Sequence, residues 1–409
     1  MDLNDPGAAV AWLRTPQAVR ECCARLAARV ESGDSPHFAL APERLAPAAD
    51  YVLDVIRANY PDLAVPYHSR WRHFAAGGRN RWGELVAGLD LPAAELGRIR
   101  TELTLVSVLL DAGAGPEWRY RDRDGRVYRR SEGLAVASFA MYAHGLFSAR
   151  PGAPLRVDAT ALAALDARRL GSAFQVGPGN ELAGLAGRLD LLRRLGAVIR
   201  DRPECFGPHG RLGGLFDHLA GQAGGGALPA TDLLAVLLDL LAPIWPGRIT
   251  LAGANLGDVW RHPTLRTGDL TDGLVPFHKL SQWLAYSLVE PLEDAGLAVT
   301  GLDALTGLPE YRNGGLFVDL GVLVPRDPSL LARTQPVDAE AVVEWRALTV
   351  VLLDRLAARV RERLGLDAAR LPLARVLEGG TWVAGRRVAR ERRADGSPPI
   401  AIVSDGTVF

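Results

Sequence analysis

The stretch AEAVVEWRALTVVLLDRLAARVRERLG, which ends at Gly365, limits the possible folds most sharply. Its apolar residues recur with the 3.6-residue period of an α-helix, and the glycine is a natural stop. A second run, TDLLAVLLDLLAPIW from Thr231 to Trp245, packs apolar residues all round, as a buried helix does, with Thr231 as its cap. One hairpin is legible. WRYRDRDGRVYRR alternates large and charged residues around Asp124-Gly125, a pair that favours positive φ at both central positions. It leads into SEGLAVASFAMYAHGL, where Ser131 is the expected cap of a further helix. The fold class expected is therefore mainly α, a large helical body with a small β-hairpin element. GGGALPAT and VPRDPSLLARTQP read as loops, and neither is long enough for an interdomain linker. The expected organisation is an N-terminal helical region, 1–100, and a helical core, 101–409, packed together as one compact unit.

Composition narrows the function. The chain has 409 residues, 48% hydrophobic and 23% charged, and 47 basic residues balance 47 acidic ones. There is no global basic field to attract duplex nucleic acid or an anionic membrane, so a nucleotide-like ligand would have to be small and held locally. No apolar run reaches the roughly 18 residues of a membrane span, and the N-terminus, acidic and broken by Pro6 and Pro16, is unlike a signal peptide. Cys22, Cys23 and Cys205 offer neither a redox nor a zinc spacing, which fits a cytoplasmic protein. Phosphate-binding, nucleophile-elbow and zinc-protease motifs are missing, so neither a cofactor nor a metal is expected.

All 47 basic residues but one are arginine, and the exception is Lys279 in PFHKLSQWLAYSLVEPL. Lys and Arg exchange freely on a solvated surface, and differ where a compact ammonium or a removable proton is needed. Lys279 is thus either a survivor of codon drift or part of a site. On a helix, Lys279, Gln282, Tyr286 and Glu290 form one polar stripe, which suits a cavity lining or a plain amphipathic face.

Three further groups carry polar chemistry. In LTGLPEYRNGGLFVD, Glu310, Tyr311, Arg312 and Asn313 are crowded between a proline and two glycines, as a ligand loop or a structural Glu310–Arg312 pair. In YHSRWRHF, His68, Arg70, Arg72 and His73 are interleaved with aromatics, a pattern for stacking and forked phosphate contacts or for gluing two lobes. The two histidines stand at a poor spacing for a metal. Glu344 and Arg346 in VEWRALTV read as a paired brace. Glu378 in LEGGTWVAGR and Asp111 in SVLLDAGAG suit either capping or a pocket wall, with Trp382 close behind Glu378.

YHSRWRHF, SVLLDAGAG, RSEGLAVAS, PFHKLSQWL, LTGLPEYRNGG, VEWRALTV and GGTWVAGR, in this order, resemble the uracil-catabolism protein family of fungi and bacteria. That resemblance covers nearly the whole chain. A remoter likeness, from about Thr101 onward, is to the queuosine-salvage nucleotide N-glycosylases. It rests on Phe277, Lys279 and Gln282 at a helix start, Leu305, Thr306, Glu310, Tyr311 and Arg312 in a loop, Val343, Glu344 and Arg346 on a helix, and Leu377, Glu378 and Trp382 near the end. The loop acid of those enzymes is aspartate, where this chain has Glu310.

The resemblance implies a glycosylase-like fold and an N-glycosyl hydrolase of pyrimidine breakdown, releasing urea from a ribosyl-urea nucleoside or nucleotide. Glu310 and Lys279 are the catalytic residues it implies, one beside the anomeric carbon and one near the leaving group. His68, Arg70, Arg72, His73, Asp111, Gln282, Tyr311, Arg312, Asn313, Glu378 and Trp382 are the expected substrate contacts. The expected partner is a small nucleoside or nucleotide derivative. A non-catalytic protein holding the same ligand is the alternative.

Overall fold

The computed structural model describes residues 1–403, and the chain forms two compact units. Among the described residues, the first combines Met1–His68, Gly247–Trp283 and 301–403; the second combines Ser69–Pro246 with Leu284–Thr300. Residue 100 lies inside the helix Ala93–Leu109. As expected, the fold is mainly α. No helix among the described residues is long and apolar enough to cross a membrane.

The first unit is built around the helix Glu340–Leu364, which ends where Gly365 turns left-handed at φ 64°. Helices Pro16–Glu31 and Leu45–Asn59 pack against it. Pro16 opens the former, and the Thr15 side chain accepts the Ala18 N–H, which meets one of the unpaired donors of a helix start. The antiparallel pair Val259–Arg261 and Leu274–Pro276 feeds the helix Lys279–Asp294, whose first turn belongs to this unit. Leu13, Leu256, Val259 and Leu274 form one apolar cluster.

The second unit groups helices Ala93–Leu109, Arg130–Ala143 and Leu185–Asp201. Trp118, fully buried, packs edge-on to Phe174 and donates its indole N–H to the Phe174 carbonyl at 3.0 Å. Arg188 is buried against the C-terminus of helix Ala93–Leu109, where it donates to the carbonyls of Leu110 and Ala112 and meets acceptors the helix leaves unpaired.

Several local expectations are corrected. The hairpin Tyr120–Arg121 with Val127–Tyr128 forms, but Gly125 alone has positive φ: the Asp122 carbonyl accepts from Gly125 N and Asp122 N donates to the Arg126 carbonyl, a type I turn closed by a left-handed glycine. Ser131 lies inside its helix and donates to Asp111 instead of capping. Thr231 likewise falls within Ala230–Leu241, and that helix exposes Asp232, Ala235 and Asp239 along one stripe. Five further two-stranded pairs accompany the hairpin, with strands of two or three residues, too short to show alternation in the sequence.

Candidate functional site

Lys279 is placed by unusual backbone. The residue before it, His278, adopts φ 50°, a left-handed conformation that costs a non-glycine residue about 1 kcal/mol or more and persists only where its surroundings hold it. Here the His278 Nε2–H donates to the Leu13 carbonyl at 2.8 Å, and the Phe277 N–H donates to the Asp258 carbonyl. Asp258 is the hub beneath. Its carboxylate accepts the Lys279 N–H at 2.9 Å, the Trp260 indole N–H at 2.6 Å, and both terminal nitrogens of Arg346 at 2.8 and 2.9 Å. Burial alone would raise the Asp258 pKa, but the Arg346 charge and these hydrogen bonds outweigh it and hold it below the ordinary value. Arg346 also covers the Phe277 ring at 4.1 Å and donates to the Pro309 carbonyl, next to Glu310.

Glu310 is the N-cap of the helix Tyr311–Asp319. Its two oxygens accept the N–H groups of Arg312 and Asn313 at 2.9 and 2.8 Å, and the residue is 7% exposed. The capping fixes the carboxylate's orientation. Gln282 and Asn313 are fully buried. Gln282 exchanges two hydrogen bonds with Thr306 and donates a third to the Phe277 carbonyl. Asn313 donates to the Leu308 carbonyl and accepts from the Thr381 hydroxyl. They join the helix head, the loop and the next segment into one network.

That next segment, Leu377–Thr381, is a π-helical turn, a rare form that recurs at functional sites. Its two glycines are sterically required: a Cβ on Gly379 would lie 2.6 Å from Val65 Cγ1, and one on Gly380 2.6 Å from Val52 Cγ1. The turn holds Glu378, whose Oε2 accepts the His68 Nδ1–H at 2.7 Å. The His68 ring is tilted against Trp283 and Trp382, with centroids 6.3 and 5.9 Å away. Lys279 Nζ lies 5.7 Å from the Trp283 ring, and Arg386 covers Trp382 at 4.8 Å. His68, Lys279, Trp283, Glu378 and Trp382 thus form one group within the first unit.

Arg312 turns its guanidinium to the Gly396 carbonyl and lies 5.1 Å from the Tyr311 ring. The remaining candidates belong to the second unit. Arg70, fully buried, pairs with Asp111 at 3.1 Å and donates to Ser107, while Arg72 pairs with Glu290 at 2.5 Å; His73 is buried there too. Glu344 and Arg346 are buried as a brace requires but do not pair with each other. Glu344 accepts from Ser35 and stands 3.8 Å from His262 Nε2, whereas Arg346 serves Asp258. Residues four and seven positions apart on one helix can share a face, but two apart cannot, so their separate partners follow from helical geometry. Sequence reasoning missed Asp258. A lone acid in LGDVW, between a glycine and two apolar residues, was the available signal. Among the described residues no group of three His, Cys, Asp or Glu is arranged to hold a metal ion.

Fold and site together define a mainly helical protein with a buried His–Glu pair, a lysine at a helix head and two tryptophans on stitched elements. The chain belongs to the family described as "Protein of unknown function (DUF1688)", whose model matches residues 12–409. It is 42% identical over 411 residues to "Protein urg3" of Schizosaccharomyces pombe (strain 972 / ATCC 24843), covering 98% of this chain and 99% of that one. It is 36% identical over 446 residues to "Uracil catabolism protein 4" of Lachancea kluyveri, across 100% of both.

Proposed function

We propose that this protein acts in uracil catabolism as an N-glycosyl hydrolase, releasing urea from a ribosyl-urea nucleoside or nucleotide. The name of the Lachancea kluyveri relative supports the pathway. The resemblance of the motif order to that of queuosine-salvage N-glycosylases is the ground for the reaction class. The observation that carries the reading is the oriented Glu310 carboxylate on elements stitched by hydrogen bonds to the head of the Lys279 helix and to the turn bearing Glu378.

Hydrolysis of an N-glycosidic bond passes through an oxocarbenium-like state, so a carboxylate near the anomeric carbon offsets its charge or takes a proton from the attacking water. Glu310 fills that role. Lys279 supplies a compact positive charge for the carbonyl of the departing group or for a 5′-phosphate. Incubating the purified protein with ribosyl-urea and with its 5′-phosphate, and assaying urea and reducing sugar, tests the reaction. Equal release of both products supports it; binding of either compound without turnover favours a holding protein instead. That second reading draws on Gln282 and Asn313, which are fully buried and hydrogen-bonded to neighbouring segments of the protein.

A further inference from the structure

We infer that His68 hands the departing nitrogen its proton and that Glu378 is the positioning residue that aims it; the inference rests on the glycosidase reading. Urea nitrogen is a poor leaving group as an anion, so cleavage needs an acid on that side of the sugar. Glu310 receives an N–H on each oxygen, which suits an acceptor rather than a donor. His68 has the opposite arrangement. Its Nδ1–H is spent on Glu378 at 2.7 Å, and its Nε2 makes no hydrogen bond among the described residues although the residue is only 4% exposed.

The surroundings restrict the ring further. Trp283 and Trp382 pack on it, and the His68 N–H donates to the Ala374 carbonyl, tying its backbone to the segment just before the π-turn. A carboxylate on Nδ1 fixes the tautomer and orientation of an imidazole, leaving Nε2 to exchange the proton. In the step proposed, the bond from the anomeric carbon to nitrogen breaks and its electron pair stays on nitrogen, which takes the proton from His68 Nε2. Water bonds to the anomeric carbon and gives a proton to Glu310. Ribose, or its phosphate, and urea leave, and the Glu310 proton returns to His68 through solvent.

The test compares two leaving groups. Ribosyl-urea needs protonation of its leaving group, whereas 4-nitrophenyl riboside releases a stable phenolate without it. His68→Gln is expected to lower kcat on ribosyl-urea by about 10²–10⁴-fold, abolish the loss of rate at high pH, and lower 4-nitrophenolate release less than about tenfold. Glu378→Gln, read beside a thermal melt, is expected to move the alkaline limb and lower kcat less. Equal loss on both substrates, or an unchanged alkaline limb in either variant, overturns the relay while the glycosidase reading stands. A wild-type protein that cleaves neither substrate removes both.

Discussion

Glu310 has two tasks, and replacing it separates them. As a cap it closes the Tyr311–Asp319 helix through two N–H groups; its second task, in the function proposed, is that of the catalytic carboxylate. Glu310→Gln retains one acceptor oxygen, so a stability loss of about 1 kcal/mol is expected alongside a turnover loss of about two to four orders of magnitude. Wild-type turnover of ribosyl-urea in that variant would leave Glu310 with capping alone. Lys279 gives the sharper comparison. Its ammonium is near Trp283, and its own N–H is fixed on Asp258, so a longer, forked guanidinium would be aimed elsewhere. Lys279→Arg should therefore fail almost as badly in kcat as Lys279→Ala; full activity of the Arg protein would make the lone lysine a matter of codon drift.

His262 yields a prediction about pH. Burial lowers its pKa to about 4, while Glu340, which attracts the protonated ring, and His37 and Arg29, which repel it, act in smaller measure. Its Nδ1 accepts from the Thr264 hydroxyl at 2.8 Å. The unfolded ring titrates near 6.5, so below that the unfolded chain takes up a proton the folded one refuses, and stability falls as pH drops from about 6.5 to about 4. The full effect is about 3 kcal/mol. Glu344 opposes it: burial raises its pKa, so the fold gains as that carboxyl protonates. Comparing melting temperatures of wild type and His262→Gln at pH 6.5 and 4 isolates the histidine, because Glu344 is common to both. The variant's decline should be shallower, and parallel slopes would show that His262 contributes nothing to it.

At the scale of elements, the π-turn Leu377–Thr381 is the exacting one. Helix Leu45–Asn59 approaches it so closely that Gly380 has no room for a methyl group beside Val52 and Ile56. Gly380→Ala is expected to destabilise the protein by about 1–3 kcal/mol through overpacking, and to lower kcat because the turn also sets Glu378. Urea unfolding measures the first effect. An unshifted midpoint would mean that the helix yields at no cost. Asp258 does the corresponding work at the Lys279 end, where one carboxylate serves a helix start, an indole and a buried guanidinium. Both ends show the site held by backbone of low intrinsic stability, a left-handed histidine and a π-turn, kept in place by hydrogen bonds from distant segments.

At the scale of the whole molecule, each unit draws on separated stretches of chain. Helices Pro16–Glu31 and Leu45–Asn59 are packed against helix Glu340–Leu364, and Ser35 hydrogen-bonds Glu344 across that span. A fragment of residues 1–246 should therefore lose amide protection in Pro16–Glu31 and Leu45–Asn59 while helix Ala93–Leu109 keeps more of its own, as hydrogen exchange would show. Protection in those first helices equal to that of the full chain would refute this dependence.

Periodicity, glycine stops and the Asp124-Gly125 turn made the helical class and the hairpin readable, because these signals are local and repeat along one segment. The polar residues of the site were readable as chemistry: a lone lysine, a carboxylate between breakers, histidine beside aromatics. Their partners were not. That Glu344 and Arg346 part company, that Asp258 binds three groups at once, and that His68 meets Glu378 from 310 positions away are facts of tertiary packing. Local sequence constrains backbone conformation within a turn or two, whereas a buried charge finds its partner wherever the packed chain brings a donor or acceptor within about 3 Å.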